Sequence, residues 1–375
     1  MNHLGRVAPK GLRAVLGLCL LAVLASGCGS LPDLYDGHSI GRPRPRTGRY
    51  ATATLGGATF ADLDTLGRHR YRTALTEWNG IVFTCRAGHI DIAHVRKSAD
   101  WTAYGAELTQ KMLRAGETEF VVKVSDPVRY FVSINYPCDW RMKTPEERQQ
   151  LSREVSIALG QYLGYAISIW HEIITWFGYR NVPLYPEFPS AFSWEDSFSD
   201  LLGSHLGAAA LRDTEHTFDD AMTLIVRREL TKLGAQSRHV ARQAAKAVYG
   251  KWYSGWFFFL VNMKKRNLDI GVDDGFITPW VVPGFGPCGD AEPQPYAIPS
   301  LEAIEELGFF ARVEIEPGGL ERKRLLRVAG LDPSDRSARV IPEVHFEPIM
   351  AHVRQDAVER FGPYVDVPWP DEESD

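Results

Sequence analysis

Residues 144–179 read TPEERQQLSREVSIALGQYLGYAISIWHEIITWFGY, and this stretch decides the fold. Thr144 is a good N-cap, and Pro145 suits the first helical position because its missing N–H is not needed there. Apolar residues then recur without a break until Gly178 and Pro183, which favour the end of a helix. The stretch therefore predicts one long helix, and the rest of the chain has to pack around it.

The polar residues of this helix follow one another at spacings of three, four and seven, which places them on a single stripe. The remaining faces are apolar almost all round, so the helix is predicted to be buried and the stripe to face other polar groups inside the protein. An ionised Glu172 in such a place needs a cation, a hydrogen-bond network or a metal ion. A network that only fixes helix packing would satisfy the same pattern. The stripe consists of Glu154, Gln161, Tyr165, Ser168, Glu172, Thr175 and Tyr179, with His171 beside it.

A second polar group lies near the start of a helix predicted from about residue 90 to residue 115. Asp91, His94 and Ser98 are three and four residues apart, so they share one helical face. An Asp and a His at this spacing can ligate a metal ion or form an acid/base pair. The alternative is an ordinary surface helix start, where Asp91 complements the helix dipole.

A third polar group begins at Ser193, which is predicted to start another helix through a capping box. Glu195 and Asp196 fit there as first-turn residues that complement the dipole, whereas Asp200 lies beyond the first turn and needs another explanation. The catalytic candidates are therefore His94, Glu172, Asp91, His171 and Asp200. Of these, His94, Glu172 and Asp200 are the candidate ligands of a divalent metal ion such as zinc.

Strand patterns are fewer than helical ones. Residues 119–125 and 128–134 alternate around Asp126-Pro127 and predict a β-hairpin. Further helices are predicted after Thr217 and Ser237, and a short one over 300–306, with strands near 311–315 and 324–328. The predicted fold class is mainly α with a small β element (α+β), in one large domain over residues 49–375 that ends in a turn-rich third.

The N-terminal residues predict export and a lipid anchor. Three basic residues precede the apolar run of residues 14–25, which is too short to span a bilayer and has the order of a signal peptide. Ala25-Ser26-Gly27-Cys28 resembles a bacterial lipobox, so residues 1–27 are a predicted lipoprotein signal peptide and Cys28 the predicted site of lipidation, including palmitate. Residues 28–48 are rich in Gly and Pro and are a predicted flexible tether. Gly29 favours the outer membrane, facing the periplasm, with the lipid anchor as the contact to the membrane.

The net charge argues against one class of binding partner, and the predicted export places the cysteines in an oxidising compartment. Without residues 1–27 the chain keeps 39 basic and 47 acidic residues, a net charge of −8, which argues against nucleic acid as a partner. No feature identifies a protein partner. Cys85, Cys138 and Cys288 remain in an oxidising compartment, where three pairings are open. The similar strand-to-loop contexts of Cys85 and Cys138 favour a disulfide between these two.

Five short motifs follow one another along the chain: Phe83-Thr84-Cys85-Arg86, Asp91-Ile92-Ala93-His94-Val95-Arg96, Ala99-Asp100-Trp101-Thr102, Trp170-His171-Glu172-Ile173 and Ser190-Ala191-Phe192-Ser193. Together they resemble a bacterial family of lipoproteins known as domain of unknown function 4056, over residues 80 to 286. The resemblance implies an exported, often lipid-anchored protein and brings no activity or catalytic residue with it.

The sequence has neither H-E-x-x-H nor G-x-S-x-G. We therefore expect a lipid-anchored envelope protein with a polar His/Glu/Asp cleft and, as the alternative, a metal-dependent or acid/base hydrolase acting on lipid or peptidoglycan.

Overall fold

Three helices that pack on one another form the centre of the protein in a computed structural model. They are α1 (Ile92–Ala115), α2 (Pro145–Trp176) and α3 (Asp196–Arg212). Helix α1 contacts both of the others, and α2 also packs on α3. The structure describes residues 41–44, 46, 48, 51, 59–72, 77–124, 126–180, 187–255 and 261–368.

Helix α2 begins as the sequence predicts. Thr144 accepts a hydrogen bond from the backbone N–H of Glu147, whose side chain accepts one from the N–H of Thr144, and Pro145 follows the cap. The two reciprocal bonds satisfy donors that the first helical turn leaves open. Most of the helix is buried from Ser152 to Trp176, so the prediction of a buried central helix is confirmed.

Helices α1 and α3 approach closely because a glycine lies between them. A Cβ built at Gly203 would clash with the backbone of Val95 and lie 2.9 Å from the Cβ of Ser98. Only glycine permits this distance between the two backbones. The close packing matters for function because Val95 follows His94 directly and Gly203 lies one turn after Asp200.

Small antiparallel sheets flank the helices. Their strands are β1 (Ile81–Thr84), β2 (Gly88–Asp91), β3 (Glu119–Lys123), β4 (Arg129–Asn135), β5 (Tyr253–Ser254), β6 (Asn262–Met263), β7 (Phe276–Ile277), β8 (Tyr296–Ala297) and β9 (Phe310–Glu316). The largest sheet has three strands in the order β3-β4-β9, and the predicted hairpin around Asp126-Pro127 forms its β3-β4 pair. The other sheets pair β1 with β2, β5 with β6 and β7 with β8.

Five further helices complete the described chain: α4 (Phe218–Lys232), α5 (Arg238–Ala247), α6 (Glu302–Glu305), α7 (Arg322–Val328) and α8 (Pro342–Phe361). The predicted α+β fold class is confirmed. Among the described residues, no helix is both long and apolar enough to cross a membrane.

Two local predictions were wrong. The segment predicted as a strand at 324–328 is helix α7, because its apolar pair Leu325-Leu326 packs into the core from a single helical turn. Helix α3 starts one residue after Glu195 without a side-chain cap, and the buried hydroxyl of Ser193 makes no hydrogen bond to another described residue. The capping box predicted there is therefore absent from the described chain.

The predicted signal peptide, Cys28 and most of the predicted tether lie outside the described residues. Two arginines near the end of the tether do contact the body. Arg42 donates a hydrogen bond to the carbonyl of Val124 at 2.9 Å. Arg46 is buried and pairs with Glu77 and with Asp100, the latter at 2.8 Å. The end of the predicted tether is thus held against the body at these positions, and the domain boundaries stay predictions.

The predicted disulfide between Cys85 and Cys138 was wrong. Cys85 is bonded to Cys288, with 5.1 Å between the two Cα atoms, and Cys138 is free and exposed. Cys85 follows β1, whereas Cys138 follows β4, and these strands belong to different sheets. Similar local sequence therefore carried no information about which cysteine lies opposite Cys85.

Candidate functional site

The first turn of α1 presents a histidine held by an aspartate. Asp91 is the N-cap, and its Oδ1 accepts a hydrogen bond of 2.7 Å from the backbone N–H of Ala93. Its other oxygen, Oδ2, lies 2.9 Å from Nδ1 of His94. Asp91 therefore both starts the helix and orients the imidazole, which leaves Nε2 of His94 as the nitrogen available to another group.

Glu172 reaches the same place from α2. It is buried, and its Oε2 accepts a hydrogen bond of 2.9 Å from the backbone N–H of Phe192. Phe192 has a φ of +54°, an unusual conformation for a bulky residue. Strained backbone of this kind is concentrated at functional sites, and here it aims a peptide N–H at the carboxylate.

The third side chain, Asp200 on α3, is completely buried. Neither of its carboxylate oxygens has a hydrogen-bond partner among the described residues. The Nζ atom of Lys97 lies 3.6 Å from Oδ1, which is an ion-pair contact but longer than a hydrogen bond. A buried carboxylate can accept several hydrogen bonds, so this group lacks most of its normal partners.

These residues form two overlapping groups that could hold a metal ion. Ligand atoms of His94, Glu172 and Asp200 all lie within 4.8 Å of one another, and so do those of Asp91, His94 and Asp196. Two ligands of a tetrahedral zinc ion, each about 2.1 Å from the metal, are about 3.4 Å apart. The first group therefore needs only small side-chain movements to surround one ion. In the second group, Asp91 and Asp196 lie 2.9 Å and 3.5 Å from the same Nδ1 of His94.

The site contains more acidic than basic side chains. Burial raises the pKa of Asp196 well above its ordinary value, and burial also raises the pKa of Glu195 to about 7. Burial likewise raises the pKa of Asp200, although Lys97 acts against the shift. Burial and Lys97 would lower the pKa of His94, but the surrounding carboxylates outweigh them and raise it to about 10. The carboxylates thus take up protons for lack of positive charge, which a divalent cation would supply.

Buried hydroxyl groups surround the carboxylates on the same three helices. None of them has a hydrogen-bond partner among the described residues. They lie three or four residues from His94, Glu172 or Asp200 and so share helical faces with them. Such a concentration of unsatisfied polar atoms is typical of a place that holds water or an ion. The hydroxyl groups belong to Ser98, Ser168, Thr175 and Ser197.

The chain that precedes the body covers this site. A Cβ at Gly48 would lie 2.6 Å from Cε1 of His94 and 2.9 Å from Oδ2 of Asp91, so only glycine allows the backbone to pass there. The backbone N–H of Ala51 donates a hydrogen bond of 2.6 Å to Oε1 of Glu195. The side chain of His94 is consequently only 14% exposed.

His171 lies beside the site in a separate hydrogen-bonded group. Its Nδ1 is 3.1 Å from Oδ2 of Asp126, and the hydroxyl of Tyr179 donates to Oδ1 of Asp126 at 3.0 Å. Burial opposes a positive charge on His171, but the neighbouring Asp126 carboxylate raises its pKa overall. Neither of the two metal-binding groups includes His171.

The structure thus brings together four of the five catalytic candidates, namely His94, Glu172, Asp91 and Asp200, and places the fifth next to them. Their chemical roles stay predictions. Lys97 was missed, although its position three residues after His94 places both on one helical face. Asp196 shares a helical face with Asp200 at a spacing of four, but it was interpreted mainly as a residue that complements the helix dipole and is not among the catalytic candidates.

Comparison with known sequences identifies a family. The family described as "Protein of unknown function (DUF4056)" matches residues 50–256, more than half of the chain. This range contains His94, Glu172, Asp200 and their neighbours. No curated protein and no solved structure gives a match.

Proposed function

The chain belongs to the DUF4056 family, and we propose that it is an exported, lipid-anchored envelope protein that binds one divalent metal ion through His94, Glu172 and Asp200. The observation that carries the metal site is Asp200, whose buried carboxylate has no hydrogen bond from a described residue and lies within ligand distance of the other two. A divalent ion would replace the missing partners of all three side chains at once.

The surroundings of His94 support its role as a ligand. A histidine that binds a metal through one nitrogen usually donates its other N–H to a carboxylate, which fixes the tautomer and the orientation of the ring. Asp91 supplies this carboxylate at Nδ1. Imidazole and carboxylate ligands suit zinc, and three protein ligands leave a coordination position for water, as in catalytic rather than structural zinc sites.

A metal ion held by His94, Glu172 and Asp200 would supply an activated water, and this chemistry would support hydrolysis as the reaction. We propose an envelope substrate, lipid or peptidoglycan, because the predicted anchor would place the site beside both. His171, oriented by Asp126, is the group next to the site that could transfer a proton to a leaving group. Substrate access requires the chain around Gly48, which covers His94, to move aside.

A metal-free acid/base mechanism is the second candidate, because Asp91 and His94 form a close pair. The electrostatics disfavour it. A histidine whose pKa is about 10 is protonated at neutral pH and cannot accept a proton from water. His94 would have to give up this proton to serve as a metal ligand, so a bound divalent ion would remove the difficulty.

Metal analysis of the purified protein tests the site. The wild-type protein should contain close to one equivalent of zinc or another divalent ion, and Glu172→Gln should lose it while keeping its melting temperature within a few degrees. Glu154→Gln is the matched control, because the side chain of Glu154 on the same helix is 40% exposed and pairs with Arg212 at the surface. It should retain the metal. Metal-free wild-type protein, or equal metal content in both variants, would refute the proposal.

An activity measurement separates hydrolysis from metal binding alone. Purified protein is incubated with envelope lipids and with peptidoglycan fragments, before and after treatment with a chelator. Hydrolysis should stop on chelation and return with added zinc. If the protein holds the metal at full occupancy but cleaves neither substrate, hydrolysis is refuted and the metal has a binding or structural role.

The lipid anchor is tested on its own, because the lipobox carries that part of the proposal. Wild-type protein should stay with the membranes through a high-salt wash, whereas Cys28→Ala should appear in the soluble periplasmic fraction. Two or three acyl chains are enough for stable anchoring. Salt-resistant membrane association of the variant would show that Cys28 is not the anchor.

A further inference from the structure

A buried arginine contacts the loop that holds Glu172. Arg266 follows strand β6 and is only 1% exposed. Its Nη1 atom donates a hydrogen bond to the carbonyl of Ala191 and another, of 3.3 Å, to the carbonyl of Pro189. A guanidinium keeps its charge in proteins, and burying a charge costs free energy. The position of Arg266 therefore needs an explanation.

One peptide group connects this arginine to Glu172. The carbonyl of Ala191 accepts from Arg266, and the N–H of the same peptide belongs to Phe192 and donates to Oε2 of Glu172 at 2.9 Å. The carbonyl and the N–H of a trans peptide point in opposite directions, so the arginine and the glutamate lie on opposite sides of it. Hydrogen bonds in such a chain polarise one another, and those from a charged donor are the strongest. The positive charge of Arg266 thus acts on Glu172 through the peptide.

This peptide is held in an unrelaxed conformation. Phe192 is completely buried and has a φ of +54°, which is costly for a bulky residue. Such a conformation persists only where the surrounding structure enforces it. Arg266 contributes to this through the carbonyls one and three residues before Phe192. Without these hydrogen bonds the peptide would be free to rotate and to turn its N–H away from Glu172.

Three aromatic rings enclose the guanidinium. Its Cζ atom lies 5.4 Å from the ring centres of Trp176 and Phe188 and 4.9 Å from that of Phe361. The face of an aromatic ring attracts a cation, and more strongly where water is excluded. Trp176 lies one helical turn after Glu172, so α2 carries both the carboxylate and one wall of this cage.

The C-terminal part of the chain fixes both the arginine and its cage. The backbone N–H of Arg266 donates to the carbonyl of Val365 at 2.8 Å. Helix α8 supplies one ring of the cage, and its Asp356 accepts a hydrogen bond of 2.9 Å from the indole N–H of Trp176. Arg266 and α8 both lie outside residues 50–256, which match the family. Segments beyond the matched range thus support the loop that binds Glu172.

We propose that Arg266 is a positioning residue for the metal ligand Glu172, and that its charge acts through the peptide between Ala191 and Phe192. The inference rests on the metal site proposed above. With Oε2 held by the peptide N–H, the plane of the carboxylate is fixed and Oε1 is the oxygen available to the ion. Groups behind a metal ligand typically contribute about 10–100-fold to metal affinity. Because a peptide intervenes here, we expect the lower end of this range.

Zinc titration of arginine variants tests the proposal. Arg266→Met removes the charge and both hydrogen bonds but keeps an unbranched side chain in the cage, and should weaken zinc binding about tenfold. Arg266→Lys keeps a positive charge beside the Ala191 carbonyl and should recover part of the loss. Arg153→Met is the matched control, because Arg153 is also buried and donates to the carbonyl of Leu211 at 2.6 Å. It lies on α2 about 28 Å from Glu172 along the helix axis, so zinc affinity should stay at the wild-type value.

The amide proton of Phe192 gives a readout that a purely stabilising arginine would not change. A hydrogen bond to a carboxylate moves an amide proton resonance to low field. In metal-free protein with isotope-labelled phenylalanine, the resonance that moves in Glu172→Gln identifies Phe192. It should shift to higher field in Arg266→Met and stay in place in Arg153→Met.

A second variant serves if Arg266→Met does not fold. Phe361→Leu removes one ring of the cage and keeps the arginine, and Phe361 is only partly buried. This variant should weaken zinc binding and move the Phe192 resonance in the same directions as Arg266→Met, by smaller amounts. If Phe361→Leu changes neither quantity, the proposal is overturned.

The remaining outcomes separate this proposal from the metal site itself. Wild-type zinc affinity in Arg266→Met overturns the positioning role, and so do equal losses in Arg266→Met and Arg153→Met. Equal losses in Arg266→Met and Arg266→Lys also overturn it, because the charge would then have no effect. In each of these cases the wild-type protein still binds zinc, and the proposed metal site stands. A wild-type protein that binds no zinc overturns both.

Discussion

At the scale of single residues, Asp91 connects folding to the proposed chemistry. One carboxylate oxygen caps α1 and the other holds Nδ1 of His94. Asp91→Asn keeps an oxygen for the cap but removes the charge that orients the imidazole. We expect metal affinity to fall about 10–100-fold, the usual effect of losing such a partner, while the helix remains. Calorimetric titration with zinc measures the change.

The protein supplies a matched control for this substitution. Asp213 and His216 have the same spacing of three residues and lie 3.0 Å apart, but at the surface. Asp213→Asn should leave zinc affinity unchanged. An Asp91→Asn protein that binds zinc as tightly as the wild type would show that Asp91 serves only as a cap.

Lys97 is the second informative residue, because its ammonium group is the positive charge nearest to Asp200. It lies 3.6 Å from Asp200, and Glu172, Asp196 and Asp91 also attract it. Lys97→Met should destabilise the metal-free protein by roughly 3–5 kcal/mol, because it leaves buried carboxylates without a partner. The same change should strengthen metal binding by removing a competing cation.

Thermal melting with and without zinc distinguishes these two effects. Without metal, the Lys97→Met protein should have a lower melting temperature than the wild type. Added zinc should raise its melting temperature by more than it raises that of the wild type. Lys111→Met on the same helix is the control, since Lys111 is 57% exposed and its pair with Glu107 lies at the surface. Lys111→Met should melt like the wild type both with and without zinc. A smaller zinc-induced gain in Lys97→Met than in the wild type would mean that Lys97 assists metal binding.

At the scale of secondary structure elements, the distance between α1 and α3 controls the site. Gly203→Ala places a methyl group against the backbone of Val95, next to His94, so the helices must separate. We expect a loss of about 1–3 kcal/mol in stability, typical of overpacking, together with weaker zinc binding. Gly286→Ala is the control because nothing lies within 4 Å of its Cβ position. If Gly203→Ala bound zinc as tightly as the wild type, the distance between α1 and α3 would not control the site.

The elements also show how far sequence patterns reach. Caps at Thr144, Thr217 and Ser237 predicted helix starts correctly, because each is a local interaction between side chain and backbone. Helix α8 was not predicted. It has Pro348 in its interior, which disfavours a helix at the level of sequence, although Phe346, Ile349 and Val353 recur at helical spacing and are buried. Its stability comes from packing against residues distant in sequence, such as Trp170, on which Phe346 stacks. Nonlocal packing of this kind leaves little trace in a short window of sequence.

The difference between local interactions and nonlocal packing also decides how much of the site could be predicted. Helical spacing identified which side chains share a face with His94, Glu172 and Asp200, and the apolar surroundings of Glu172 indicated that it needed a partner. Spacing could not show that Gly48 passes over His94 or that the N–H of Phe192 binds Glu172. Both contacts depend on the path of connecting segments, which the periodicity of helices does not determine.

At the scale of the whole molecule, the disulfide joins segments 203 residues apart in sequence. Closing so long a loop in the unfolded chain is worth about 5 kcal/mol in the chain-entropy model, less any strain. Cys288→Ser should therefore lower the free energy of unfolding substantially, whereas Cys138→Ser should have almost no effect because Cys138 is free and exposed. Urea unfolding of both variants measures this. If Cys138→Ser were instead the less stable variant, the result would favour a disulfide between Cys85 and Cys138.

The central claim is that three helices of one body hold a divalent ion between them. Crystals grown with zinc, and anomalous scattering data collected on both sides of the zinc absorption edge, test it most directly. The account predicts one strong anomalous peak about 2.0–2.2 Å from a nitrogen of His94 and from carboxylate oxygens of Glu172 and Asp200. A zinc-saturated protein with no peak between these three side chains, and Lys97 still beside Asp200, would contradict it.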